Sequence, residues 1–125
     1  MKKILQERWQ SFKYAFRGIG LLFKTEIHGK FHIFFAIFVI IAGLFFNINM
    51  TEWSLVVITI SAVIGAEAFN SSIERLTDLA SPDYHPLARD TKDLAAGAVL
   101  ILAIGAVIIG FIIFLPKVLH WLGWI

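Results

Sequence analysis

The chain has no cysteine among its 125 residues, which excludes a disulfide framework, a cysteine-ligated zinc site and thiol chemistry. Charge is also sparse: 16% of residues are charged against 58% hydrophobic, far to the apolar side of a soluble globular domain. Long charge runs and polar low-complexity tracts are missing, so a disordered chain is excluded. The net charge of +2 is too small to point to nucleic acid, and no nucleic-acid partner is expected. There is no G-x-x-x-x-G-K-[ST] loop and no G-x-G-x-x-G; Gly18-Ile19-Gly20 is too little to count. His28 and His32 have i, i+4 spacing but lack H-E-x-x-H, so they read as interfacial or structural. At this length one domain, 1–125, is expected.

What the chain does contain is apolar stretches. Phe31–Phe46 stops at Asn47-Ile48-Asn49, Trp53–Phe69 follows, and Leu94–Leu115 is closed by Pro116. A spanning helix needs roughly 20 apolar residues, with about 17 tolerated. The spacing therefore predicts an all-α integral membrane protein with spans at about 30–47, 52–70 and 93–115. A signal peptide is a poor alternative for the first stretch, because about thirty charged and amphipathic residues precede it.

The Lys and Arg residues orient the spans. Lys2, Lys3, Arg8, Lys13, Arg17, Lys24 and Lys30 precede the first, and Arg75, Arg89 and Lys92 follow the second. Lys117 alone lies on the other side. The positive-inside bias puts the N-terminus and the 70–93 loop in the cytoplasm and the C-terminus outside, with Trp53, Trp121 and Trp124 as interfacial anchors. Before the first span, Leu5, Trp9, Phe12, Phe16, Ile19 and Phe23 gather on one face of a helix at about 4–24. With Lys13, Arg17 and Lys24 on another face, the segment reads as a helix lying in the membrane interface. A helix packed on neighbouring protein is the alternative.

The informative polar residues begin at the end of the second apolar stretch. Glu67, Asn70, Ser71, Glu74 and Asp78 share one face of a continuing helix. An ionisable residue at membrane depth costs several kcal/mol and marks a functional site by default. The plainer alternative has Glu67 reaching to the interface and Glu74–Asp78 as a solvated continuation. A carboxylate in a partly apolar setting can act as general base, and a second can hold Mg²⁺ together with substrate phosphates. Glu26, just before the first span, lies at the same membrane face and is a second candidate on the metal side. Arg89, Lys92 and Asp93 open the third span, where Lys92 can neutralise a phosphate or serve as a positive-inside anchor.

Glu67-Ala68-Phe69-Asn70-Ser71-Ser72-Ile73-Glu74-Arg75-Leu76-Thr77-Asp78 resembles the signature E-x-[LIVM]-N-[ST]-[SA]-[LIV]-E-x-x-[VT]-D of the small bacterial integral-membrane diacylglycerol kinases and their undecaprenol kinase relatives. Phe69 departs from the aliphatic third position. Phe12–Gly18, Thr25-Glu26 with Lys30 and His32, Asp83–Ala88 and Thr91–Val99 are similar to family segments in the same order. The resemblance implies an ATP-dependent lipid kinase with a surface helix and three transmembrane helices per subunit, in a bacterial inner membrane. It further implies a homotrimer with active sites between protomers, in agreement with the expectation that three spans alone hardly enclose a polar site. It implies Glu67 as general base, Glu26 and Glu74 as ligands of the Mg²⁺ that accompanies ATP, and Asn70 as an orienting residue. Tyr14, Glu26, Glu74, Asp83, Tyr84, His85, Lys92 and Asp93 match nucleotide-contacting positions, and Asp78 is given a structural role. The compact chain and Ser81–Ala88 favour undecaprenol as acceptor, with diacylglycerol as the alternative.

A rival of another class is a small proton- or cation-coupled transporter using Glu67. The clustering of Glu67, Glu26, Glu74, Lys92 and Asp93 at one membrane face, with no charge in the outer halves of the spans, speaks against it. A plain membrane anchor would leave the Glu-Asn-Glu stripe unexplained.

Overall fold

The computed structural model describes residues 1–124 apart from the side chains of Lys2, Lys3 and Leu5. The roles expected for those three side chains in the basic flank and the apolar stripe lie outside the described residues. Four helices follow one another: α1 (Lys2–Thr25), α2 (Ile27–Phe45), α3 (Met50–Ala80) and α4 (Pro86–Trp121). The last three are each long and apolar enough to cross a membrane. The expected all-helical class with three such helices is borne out.

The helices outrun the apolar stretches. α3 has 31 residues and α4 has 36, about 46 and 54 Å at a rise of ~1.5 Å per residue, against about 30 Å of hydrocarbon. The continuing helix expected through Asp78 reaches Ala80, and the rest of the 70–93 segment, expected as a loop, is helical from Pro86, leaving residues 81–85 as the connection. The first of these helices continues because Glu74, Arg75, Leu76, Leu79 and Ala80 are good helix formers. The second starts at once, since Pro86 suits the first helical turn and His85 Nδ1 accepts the Leu87 N–H at 3.2 Å.

Pro116 does not close α4, which continues to Trp121. Proline removes one backbone N–H, a loss that packed apolar helices tolerate. The turn beyond it is held by Lys117, whose Nζ lies 3.1 Å from Glu52 Oε1. Glu52 also completes the capping box that starts α3. Its Oε2 accepts the Asn49 N–H at 2.8 Å, while Asn49 Oδ1 accepts the Thr51 and Glu52 N–H groups.

At this end of the bundle lies the apolar core. Ile48, Val56 and Ile113 are buried, with Val39, Phe46, Trp53, Ile60, Ile109 and Phe114 packed around them. Trp53, expected as an interfacial anchor, is packed over Gly43; Trp121 and Trp124 are exposed. A Cβ on Gly43 would sit 2.8 Å from Trp53 Cη2 and 3.1 Å from Ile48 Cδ1. Gly43→Ala gains up to about 1 kcal/mol of helix propensity but must move an indole, and overpacking costs about 1–3 kcal/mol. The expected net effect is a lower thermal unfolding midpoint. In a Trp53→Leu background the same substitution should become neutral or stabilising, and a loss of equal size in both backgrounds would contradict this packing.

Candidate active site

Two ion pairs tie the α3–α4 hairpin near its ends, Glu52 to Lys117 and Asp78 to Lys92. They set an antiparallel register along which α3 packs on α4, with Ala95 and Val99 of α4 buried. On α3, Glu67 is only 3% exposed, and Asn70 and Ser71 are also buried. These three side chains are buried within one chain, while Asp78 and most of the groups around the α3–α4 connection are exposed.

Asn70 Nδ2 donates to Glu74 Oε1 at 3.1 Å across one helical turn. Its carbonyl oxygen is buried and has no hydrogen-bond partner among the described residues. Leaving such a group unpaired costs about 1–3 kcal/mol. Glu67, three residues earlier on the same face, is the carboxylate buried beside this stretch.

Glu26 occupies the break between α1 and α2, with extended backbone at φ −97° and ψ 123°. The elbow is tight: Gly29 and Leu22 are buried, and a Cβ on Gly29 would lie 3.1 Å from the Leu22 carbonyl oxygen. Arg75 Nη2 donates to Glu26 Oε1 at 2.7 Å and to Thr25 Oγ1 at 2.5 Å. Thr25 Oγ1 also donates to Glu26 Oε1 at 3.2 Å. The Arg75 hydrogen bond, against partial desolvation, holds the Glu26 carboxyl below the usual carboxylate range. A depressed folded value means that the pair supports the fold at neutral pH and loses that contribution as pH falls through the folded value. Spin labels on α1 and α3 should therefore show a broader distance distribution on acidification, and Arg75→Ala should show it already at pH 7. A distribution insensitive to both changes would rule out this tie.

The third group surrounds the connection between α3 and α4. Asp78, Asp83, Tyr84, His85, Arg89, Lys92 and Asp93 line an open pocket of about 310 Å³. Lys92 Nζ is paired with Asp78 Oδ1, and Arg89 Nε lies 3.6 Å from Asp93 Oδ2. The structure thus brings together five of the residues matched to nucleotide contacts, namely Asp83, Tyr84, His85, Lys92 and Asp93. Tyr14, exposed on α1, is not among the pocket's lining residues. Glu67, Asn70 and Glu74 share a face of α3, whereas Glu26 is engaged by Arg75. No group of three or more His, Asp or Glu side chains converges on a metal-sized site among the described residues.

Arg75 and the Glu52–Lys117 pair are the charged elements that sequence reasoning missed. Arg75 stands beside Glu74 within the motif, but its partner is 49 residues away, and helical periodicity carries no signal across that distance.

A family model described as prokaryotic diacylglycerol kinase matches residues 13–114. An undecaprenol kinase of Bacillus subtilis (strain 168) is 39% identical over 113 residues, covering 90% of this chain and 92% of that protein. A diacylglycerol kinase of Synechocystis sp. is 34% identical, with 94% of this chain and 72% of that protein covered. A diacylglycerol kinase of Helicobacter pylori (strain J99) is 32% identical over 88 residues, 70% of this chain and 69% of that protein. With the match running from α1 through most of α4 and across the Glu67–Asp78 helix, the chain belongs to the prokaryotic diacylglycerol kinase family and is a membrane lipid kinase.

Proposed function

We propose that the chain, as a single domain of residues 1–125, transfers the γ-phosphate of ATP to the hydroxyl of undecaprenol, giving undecaprenyl phosphate. One observation carries the placement of the chemistry: a carboxylate buried on a membrane-length helix, beside an amide whose oxygen is unpaired. The Bacillus relative, similar over nearly its whole length, favours undecaprenol as acceptor. Diacylglycerol, giving phosphatidic acid, is the second reading, favoured by the Synechocystis and Helicobacter relatives.

In this reading Glu67 takes the proton from the lipid hydroxyl as its oxygen attacks the γ-phosphorus. The bond between the γ-phosphorus and the bridging oxygen breaks, and ADP leaves. Asn70 orients the groups beside the base, its amide donating to Glu74. Asp83, Tyr84, His85, Lys92 and Asp93, with Tyr14, contact the nucleotide, and Lys92 exchanges Asp78 for phosphate. Glu26 and Glu74 fit Mg²⁺ in donor chemistry, since this ion is commonly held by one or two carboxylates plus substrate phosphates. When bound, the ion draws charge from the phosphates.

The membrane placement is inferred from charge and surface. The Lys and Arg distribution favours a bacterial inner membrane arrangement with the N-terminus and the 70–93 hairpin cytoplasmic and the C-terminus outside. Trp9, Phe12, Phe16 and Ile19 are exposed along α1, which suits a helix lying in the interface. A homotrimer with sites between protomers would bring Tyr14 and the separate polar groups to a common centre. It would also cover part of the exposed apolar surface of α2 and α4.

Competition tests the acceptor. With undecaprenol and dioleoylglycerol at equal mole fraction in the same micelles, ATP and Mg²⁺ should yield mainly undecaprenyl phosphate. A product dominated by phosphatidic acid would move the chain to the diacylglycerol branch.

A further inference from the structure

We propose that Arg75 is a positioning residue that stands in for the metal ion at Glu26, holding that carboxylate until a metal–nucleotide displaces the guanidinium. The proposal rests on the reading of Glu26 as a metal-side carboxylate.

The geometry is that of a cation site already filled from within the chain. Arg75 Nη2 reaches Glu26 Oε1 at 2.7 Å and Thr25 Oγ1 at 2.5 Å, while Thr25 Oγ1 itself donates to the same carboxylate oxygen. A guanidinium on a carboxylate supplies charge and donors where a divalent ion would supply charge alone. Without it, Glu26 would be a partly buried anion at the elbow, its carboxylate left with the Thr25 hydroxyl as its other side-chain hydrogen-bond partner among the described residues.

The pairing is reversible in character. The Glu26 side chain is 24% exposed and that of Arg75 51%, so the guanidinium can swing into water without being stranded in an apolar interior. Partly exposed ion pairs are weak, on the order of 0.2–1 kcal/mol. A divalent ion carried by a polyphosphate can compete with a contact of that strength. The same arrangement recurs one turn along α3, where Asp78 occupies Lys92, the cation expected to meet phosphate. In both cases a residue of α3 neutralises a ligand-binding group supplied by another part of the chain.

Arg75 therefore competes with the metal. Removing it frees Glu26 and should tighten metal binding, whereas a residue that merely fastens α1 to α3 would weaken binding when lost. The test is electron paramagnetic resonance of Mn²⁺ titrated into the full-length protein with an ATP analogue that has an uncleavable β,γ bridge. Arg75→Gln should bind Mn²⁺ about two- to fivefold more tightly, the range that a partly exposed ion pair allows. Thr25→Val, which removes the hydroxyl that accepts from Arg75 and donates to Glu26 but no charge, should shift binding in the same direction by less. Glu26→Gln should weaken binding, and adding Arg75→Gln to it should change nothing further. Unchanged or weaker binding in Arg75→Gln, with Glu26→Gln still impaired, would overturn the stand-in role while leaving Glu26 as a ligand. Wild-type binding in Glu26→Gln would overturn both assignments.

Discussion

Glu67→Gln should retain all four helices and lose phosphate transfer to lipid by about 10²- to 10⁴-fold, the contribution of a well-placed general base. The substitution is nearly isosteric and replaces a buried carboxylate with a neutral amide, which is less costly to bury. Thermal stability should therefore be unchanged or higher while turnover collapses. This opposite movement separates a catalytic loss from misfolding. Ser71→Ala, at an equally secluded position of the same face, should cost far less turnover because it removes no charge. Turnover near the parent level in Glu67→Gln would remove Glu67 as the base.

Glu74→Gln is expected to have the second largest effect, and on a different quantity. The amide oxygen of Gln can still accept from Asn70 Nδ2, so the 3.1 Å contact survives and only the charge is lost. The Mg²⁺ concentration for half-maximal rate should rise by at least about 10- to 100-fold, the range seen even when residues behind a metal ligand are altered. The rate at saturating Mg²⁺ should suffer less. An unchanged Mg²⁺ profile would contradict the assignment of Glu74 to the metal side.

Both substitutions lie on a face that can be read directly from the sequence. Glu67, Asn70, Ser71 and Glu74 recur at helical spacing, and α3 continues as a helix well past the apolar stretch that precedes them. Local periodicity and apolar length are short-range properties, so they are legible in one dimension. Contacts across the bundle are not. Nothing in spacing pairs Arg75 with Glu26, or Glu52 with Lys117, because each pair depends on how separate helices cross. The packing of Trp53 over Gly43 is equally invisible in spacing. Pro116 reads as a helix stop because propensity takes no account of the packing and the Lys117–Glu52 pair that carry α4 onward.

The burial of Glu67 likewise could not be inferred from the motif. It depends on how α3 packs against the rest of the bundle, which local spacing does not carry. The proposed base is a carboxylate shielded from bulk water on a membrane-length helix, in the same chain as an open polar pocket at the α3–α4 connection. Neither substrate would need to cross the bilayer.

The most direct test of the central claim supplies purified protein in lipid–detergent micelles with γ-labelled ATP, Mg²⁺ and an alcohol-bearing lipid, then asks where the label goes. The account predicts label in the lipid phosphate, dependent on both Mg²⁺ and Glu67. Label released only as inorganic phosphate, or no transfer to either undecaprenol or dioleoylglycerol from well-folded protein, would contradict it.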